Sequence, residues 1–184
     1  MTGTVTATTS FKLEAISCSA TNQGMAPGLA ILNSTYGVAG GYIIESCATG
    51  TPVYSAVAVL NNARGLPITV TVGDKISITV AVSSTATTVE VSDVTTHMAR
   101  TRTGAGATPS ALYVGINALS WAGTLMAVPT FLTERFNSTT VNGAALSTTT
   151  PAAIDRTTSG AVIEIKTGKL NSVGTGFTEA FKSH

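Results

Sequence analysis

Apolar and polar residues alternate along most of the chain, which is the pattern of a β-strand that has one face in a core. The clearest stretch is 66–82, where isoleucine and valine occupy nearly every second position on both sides of Gly73-Asp74. With this period, the even-numbered residues from Ile76 to Val82 point to one face of a strand. The stretch therefore predicts two strands joined by a tight turn.

Similar runs, separated by turn residues, recur along the whole chain. They lie at 5–15 (two short strands), 29–33, 36–46, 51–60, 87–103, 111–119, 124–132, 134–143, 161–170 and 176–181. No segment has the 3.6-residue period of a helix. The pattern predicts an all-β fold with minimal helix, an antiparallel two-sheet β-sandwich that is jelly-roll-like and concanavalin-like. We expect a single domain over 1–184, with the Thr- and Pro-rich stretch 147–160 as a surface loop.

The composition agrees with strands and narrows the choice of partners. The 184 residues include 33 Thr, 25 Ala, 17 Ser and 18 Gly, and only 10% are charged. Ten basic and nine acidic residues leave a net charge of +1, which gives no electrostatic basis for binding nucleic acid or an anionic membrane. No apolar run approaches the roughly 20 residues of a membrane-spanning helix, so we expect no membrane insertion.

The termini and the cysteines bear on where the chain works. The first ten residues, MTGTVTATTS, have neither the basic nor the apolar segment of a signal peptide, so none is expected in this chain. Cys18 and Cys47 are the only cysteines. They either form one disulfide, as in an extracellular protein, or are two reduced core residues. With two histidines in the chain, they cannot supply a zinc-type cluster, and we expect no metal and no cofactor.

Few charged residues are candidates for chemistry. Glu45, Glu90 and Glu134 each lie in a strand pattern opposite apolar neighbours, and we expect all three on a solvated sheet face because glutamate is rarely buried unpaired. Arg100 and Arg102 lie in the exposed strand pattern HMARTRT, without interleaved aromatic residues. This arrangement favours a sheet edge or a pair of interface residues over a nucleic-acid patch.

Five segments, in this order, resemble the glutamic peptidase (eqolisin-type) family. They are ATTSFKLEAISCSAT, ESCATGTPVYSAVAVL, VTVGDKISITVAVSSTATTVEVSDVTT, PSALYVGINAL and FNSTTVNGAAL, which together span most of residues 5–146. The order and spacing of the segments carry the resemblance, because Thr- and Val-rich strands imitate one another individually. The resemblance implies a jelly-roll-like double sheet.

The resemblance does not extend to the catalytic pair of that family. The family uses a glutamate as general acid and base on the attacking water, and a glutamine that holds this water and the oxyanion. The glutamine lies a few residues before the second cysteine, where this chain has Ala39, Gly40 or Gly41. The glutamate lies in an Ala-Glu-Trp strand, where this chain has Leu112. The resemblance therefore implies the scaffold without the activity, and we expect no enzyme.

The remaining binding candidates are scattered. Trp121 follows the strand pattern 111–119, and Tyr54 and Tyr113 lie within strand patterns. These aromatic residues, together with Arg100 and Arg102, are the side chains that could contact a partner or a glycan.

Three functions remain open at this point. The first is a non-catalytic structural or interaction protein in a homo- or hetero-oligomeric assembly such as a phage or viral particle, with the 147–160 loop and the N-terminal strand as contact regions. The second is a secreted carbohydrate- or protein-binding module. The third is a divergent acid peptidase with displaced catalytic groups. We favour the first, and with it a location in a virion or outside the cell.

Overall fold

The computed structural model describes residues 3–48, 50–121, 123–157 and 163–182, except for the side chains of Trp121 and Ile163. In chain order its strands are β1 (Val5–Lys12), β2 (Gly24–Asn33), β3 (Gly37–Ser46), β4 (Val53–Leu60), β5 (Asn62–Gly65), β6 (Lys75–Val82), β7 (Ala86–Asp93), β8 (Met98–Ala105), β9 (Pro109–Ala118), β10 (Ser120–Trp121), β11 (Thr124–Leu125), β12 (Thr133–Val141), β13 (Ala144–Ala145), β14 (Arg156–Thr157), β15 (Ile163–Thr167) and β16 (Phe177–Phe181). One 3-10 turn, Leu146–Thr149, is the only helical element of these described ranges.

The strands form two antiparallel sheets. The nine-stranded sheet has the order β14-β15-β16-β12-β1-β6-β7-β8, with β13 beside β12, and the five-stranded sheet has the order β5-β4-β3-β2-β9. Strands β10 and β11 pair separately. The predicted all-β two-sheet sandwich is confirmed. Strand β1 lies between β12 and β6, so the N-terminal strand offers no free edge to a partner.

The core lies between the two sheets and follows from the period-two pattern. In β6 the residues Ile76, Ile78, Val80 and Val82 are all fully buried, as the alternation predicts. One hydrophobic cluster includes residues of both sheets. At the end of the core nearest β16, the Phe136 ring stacks on the Phe177 ring, with ring centroids 5.0 Å apart.

Three predicted strands differ from the structure. The stretch 66–72 is not a strand, although Ile68 and Val70 are buried; alternation reports burial of every second side chain, which an unpaired segment can also produce. The stretch 5–15 contains one strand instead of two, and 124–132 contains only β11, followed by isolated bridges at Ala127 and Thr130. Residues 161 and 162 of the predicted strand 161–170 lie outside the described residues.

Two contacts fasten the sandwich away from the core. Cys18 and Cys47 form a disulfide, which ties the segment after β1 to the end of β3. The Arg102 guanidinium on β8 donates to the carbonyl oxygens of Ala58, Leu60 and Asn62 at 2.8–3.3 Å. This arginine therefore links an edge of the larger sheet to the smaller sheet. Within the described ranges, no helix has the length and apolarity needed to cross a membrane.

Candidate functional site

The positions that match the family's glutamine lie where the two sheets touch or on the opposite face. Ala39 and Gly41 face the larger sheet, and Ala39 is fully buried. A Cβ atom on Gly41 would lie 2.6 Å from the Ile78 Cγ2 atom and 3.0 Å from a methyl group of Val91. A Cβ atom on Gly40, on the other face, would lie 2.8 Å from the Tyr42 ring. A side chain at Gly40 or Gly41 would therefore require these neighbours to shift.

The position that matches the family's glutamate is in a different setting. Leu112 is half-buried on β9 and lines an open, mostly apolar cavity of about 580 Å³. The cavity is lined by Ser110, Ala111, Leu112, Tyr113, Val114, Leu146, Thr149, Pro151, Ala152, Ala153, Ile154, Thr167, Gly168, Lys169, Leu170, Phe177 and Glu179. Its size is that of a ligand site in proteins.

The cavity faces the edge of β9. Consecutive residues of a strand point to opposite faces, yet all five residues of 110–114 line this cavity. Strand β9 pairs with β2 on one side only. The 580 Å³ cavity is therefore a groove that runs beside the unpaired edge of the five-stranded sheet, and we call it the β9 groove.

The backbone of β9 directs hydrogen-bonding groups into the β9 groove. Ile116 donates its N–H to the Glu179 carboxylate at 2.6 Å and accepts the Tyr113 hydroxyl at 2.9 Å, so neither group is bonded to β2. Its partner on β2 is Pro27, which has no N–H. Because alternate residues of an antiparallel strand turn both backbone groups to the same side, those of Leu112 and Val114 also face the groove. No described residue bonds to them across that edge.

Glu179 is the titratable group at the inner end of the groove. It lies on β16, is 4% exposed, and accepts hydrogen bonds from the Ile116 N–H and, at 3.2 Å, from the Thr167 hydroxyl. Burial raises the pKa of Glu179 to about 7, while the two hydrogen bonds partly offset the rise. A Cβ atom on Gly115 would lie 2.6 Å from the carboxylate, so glycine at this position makes the contact possible.

A second cavity of about 140 Å³ adjoins Glu179. Its lining includes Tyr113, Asn117, Arg156 and Glu179. Burial raises the pKa of Tyr113 above its usual range, and the negative charge of Glu179 raises it further. This cavity thus brings a carboxyl group, a phenol and an amide together.

Two glutamates predicted to be solvated are in the core instead. Glu45 on β3 and Glu134 on β12 are both fully buried, and neither carboxyl group has a hydrogen bond of normal geometry. Glu134 is the register partner of Glu179 on the neighbouring strand. The prediction for Glu45 and Glu134 is wrong, because each lies in phase with the buried face of its strand. Glu90 is exposed, as predicted.

Burial disfavours the ionised form of these two carboxyl groups and raises their pKa values. Desolvation raises the pKa of Glu45 well above its ordinary value, and the Glu14 charge adds to the rise. Desolvation also raises the pKa of Glu134 to about 9, with further contributions from the charges of Glu45 and Glu14 and a partial offset from the Glu14 backbone amide. In the described ranges, no group of three or more His, Cys, Asp or Glu side chains could hold a metal ion.

The other residues singled out in the sequence do not gather at this site. Of them, only Tyr113 lines the cavities. The Tyr54 hydroxyl accepts the N–H of Ile16 at 3.2 Å. Arg100 contacts the carbonyl oxygen of its own neighbour on β8, and Arg102 links the sheets as described above. The side chain of Trp121 lies outside the described part of the structure.

The comparisons with known proteins establish the fold. No family model matches the chain, and no curated protein matches it significantly in sequence. Scytalido-glutamic peptidase, solved with a transition state analog inhibitor, aligns with 98% of this chain and 92% of its own at a TM-score of 0.78 and 15% identity. SCP-B, a member of the eqolisin family solved with the tripeptide Ala-Ile-His, covers the same shares at a TM-score of 0.70 and 14% identity.

Aspergilloglutamic peptidase from Aspergillus niger matches similarly, with 98% of this chain and 100% of its own at a TM-score of 0.67 and 16% identity. The chain therefore has the eqolisin-like β-sandwich fold over nearly its full length, as the sequence resemblance implies. At these identities the likeness concerns the fold alone.

The buried carboxyl groups predict that stability falls as pH rises. A carboxyl group whose pKa is higher in the folded than in the unfolded state contributes stability that is complete below the unfolded value, near 4.5, and is lost as pH rises toward the folded value. Each such group steepens the fall by up to about 1.4 kcal/mol per pH unit. We expect the free energy of unfolding to decrease between pH 5 and 9, and to decrease less steeply in Glu134→Gln.

The measurement is urea unfolding at intervals of one pH unit. The matched control is Glu90→Gln, which changes an exposed carboxyl group on β7 and should leave the slope as in the wild type. A wild-type stability that rises over this range, or an unchanged slope in Glu134→Gln, would contradict the burial of a protonated Glu134.

Proposed function

We propose that the chain is a non-catalytic structural or interaction protein that forms part of a larger assembly, such as a phage or viral particle. The observation that carries the proposal is the pairing of an eqolisin-like fold with a closed position at Gly41 and a leucine at position 112. In the family that the fold resembles, these positions carry the side chains that move the proton and hold the water. Here a hydrolase scaffold keeps its shape and presents a groove.

The surface offers contacts of the kind that an assembly needs. Leu125, Leu132, Ile154 and Val173 are each at least two-thirds exposed, and a partner that covered them would remove apolar surface from water. Ile154 also lines the β9 groove, which places this part of the predicted 147–160 loop beside the free edge of β9. These features support a protein partner, with the groove as the main point of contact.

Parts of the 147–160 loop are also held within the chain. Arg156 pairs with Glu164 at 3.0 Å and donates to the carbonyl oxygen of Met126, and Asp155 pairs with Lys166. Ion pairs with Glu164 and Lys166 on β15 therefore hold residues 155 and 156 of this predicted loop without a neighbouring molecule. Residues 158–160 lie outside the described ranges.

The disulfide supports a location in a virion or outside the cell. The bond between Cys18 and Cys47 persists most readily in an oxidising compartment. A carbohydrate-binding module outside the cell is the second hypothesis. It has less support, because the hydroxyl groups of Tyr54 and Tyr113 are already engaged within the chain.

A divergent acid peptidase is the other candidate, and one observation favours it. Glu179 and Asn117 line the same small cavity, so a carboxyl group and an amide occur together at a place different from the family's. Against catalysis, each Glu179 oxygen already accepts a hydrogen bond. The Asn117 amide is also engaged, by the hydroxyl of Tyr42.

Digestion of a denatured protein substrate between pH 2 and 7 separates these candidates. We expect no cleavage above the background of a mock purification, because Gly41 and Leu112 can neither transfer a proton nor bind an oxyanion through a side chain. The matched variant is Glu179→Gln, which keeps the shape and removes the acid. Cleavage by the wild type that disappears in Glu179→Gln would replace our proposal with the divergent peptidase.

Antibody labelling of intact particles tests the assembly itself. Particles are purified from the organism that encodes the chain and imaged by electron microscopy with antibodies against the folded protein. We expect regular labelling of the particle surface and a fixed ratio of this chain to the major shell protein by quantitative mass spectrometry. A chain found only as free soluble protein would contradict the proposal.

A further inference from the structure

The β9 groove is lined by runs of consecutive residues. The edge of β9 contributes 110–114, and 151–154 and 167–170 contribute runs of four residues each. At a rise of about 3.3 Å per residue, 110–114 provides an edge about 13 Å long. A groove of this length and form fits four to five residues of an extended chain.

We infer that the β9 groove binds an extended peptide segment of a partner protein by strand addition to β9, with a basic side chain of that segment paired to Glu179. This inference rests on the proposed function, because it names the partner chemistry of the groove through which the assembly would form.

The backbone of β9 selects an extended peptide over other ligands. The N–H and C=O groups of Leu112 and Val114 face the groove without partners in the described structure. An added strand presents alternating donors and acceptors at the same spacing, and its side chains then alternate between the two faces of the sheet. Side chains on one face would enter the apolar part of the groove beside Leu146 and Phe177, so that face of the segment should be apolar.

Residues 151–154 and 167–170 line the groove together with 110–114. A terminal tail or a single extended loop needs less room in a groove bordered by these segments than the edge of a folded sheet does. The occupant that we infer is therefore a segment that is unpaired before it binds, and dimers of this chain that form through β9 in solution would contradict it.

Charge in the groove indicates which side chain the segment carries. Among the described residues that line the two cavities, Glu179 carries the only carboxyl group. Arg156 lines the smaller cavity with it, but the Arg156 guanidinium pairs with Glu164. Glu179 accepts only an amide and a hydroxyl group, and no described cation pairs with it. A lysine or arginine of the partner would supply the missing opposite charge at the buried end.

Lys169 also lines the groove, but its side chain is exposed at the rim. A charge in that position is hydrated and screened, so it opposes a basic ligand weakly. The buried carboxylate of Glu179 therefore decides the sign of the charge that the inner end of the groove accepts.

The probe is a positional-scanning library of acetylated and amidated hexapeptides, in which each residue type is fixed in turn at each position, applied to the whole chain. We expect enrichment of β-branched or apolar residues at alternate positions and of lysine or arginine at one position. The best peptide is then measured by isothermal titration calorimetry at pH 8. A library in which no sequence binds with a dissociation constant below about 1 mM would overturn the inference.

A mutant cycle isolates the ion pair from any structural role of Glu179. The lysine peptide and a norleucine peptide are compared on the wild type and on Glu179→Gln, with Glu90→Gln on β7 as the matched control. We expect the wild type and the control to prefer the lysine peptide about tenfold, and Glu179→Gln to lose that preference. A preference that survives in Glu179→Gln would overturn the pairing.

Backbone methylation of the peptide tests strand addition on the unmodified protein. An N-methyl group at every second residue should abolish binding in one register and leave it within threefold in the other, because only alternate amides face β9. Equal effects in both registers would refute strand addition. If antibodies against the chain label the particles but the chain binds no peptide, this inference fails and the proposed function stands. If peptides bind but the particles are not labelled, the groove binds peptides and the proposed function fails.

Discussion

The close approach of the two sheets at Gly41 is the constraint on which the rest of the structure depends. Methyl groups of Ile78 and Val91 occupy the space into which any side chain at this position would extend. A side chain at this position would therefore require Ile78 or Val91 to shift. Under our proposal, Gly41 is one of the positions that the resemblance pairs with the family's glutamine, and the contact between the sheets leaves that position closed.

The space between the sheets opens instead at the other edge. Strand β9 pairs with another strand on one side only, and on its other side Ile116 bonds to Glu179, which leaves the β9 groove beside 110–114 with Glu179 at its inner end. Two further carboxyl groups, those of Glu45 and Glu134, lie in the core without normal hydrogen bonds. Because burial raises the pKa values of both groups, their ionisation at higher pH costs stability.

Alternation in the sequence predicts the strands and the fold class because burial of every second side chain is a local property. Alternation does not show whether a segment pairs with a neighbouring strand. For this reason 66–72 has the pattern of a strand although it joins no sheet. The alternation also indicates which glutamates point inward, because a residue two positions from a buried apolar residue lies on the same face of the strand. Glu45 has this relation to Ile43, and Glu179 has it to Phe177. The phase identifies Glu45, Glu134 and Glu179 as inward-facing, while the general rarity of buried glutamate argues against it. The β9 groove has no such signal, since it depends on which strand ends the sheet.

The free energy of unfolding of Gly41→Gln, compared with Gly65→Gln, tests the closed position most directly. Both changes place the family's amide side chain on a strand, but a Cβ atom on Gly65 meets nothing within 4 Å. Our account predicts that Gly41→Gln loses at least about 1–3 kcal/mol of stability or fails to fold, as overpacked cores do, while Gly65→Gln stays within about 0.5 kcal/mol of the wild type. Equal stability of the two variants would show that the sheets can part at Gly41, and the closed position would be contradicted.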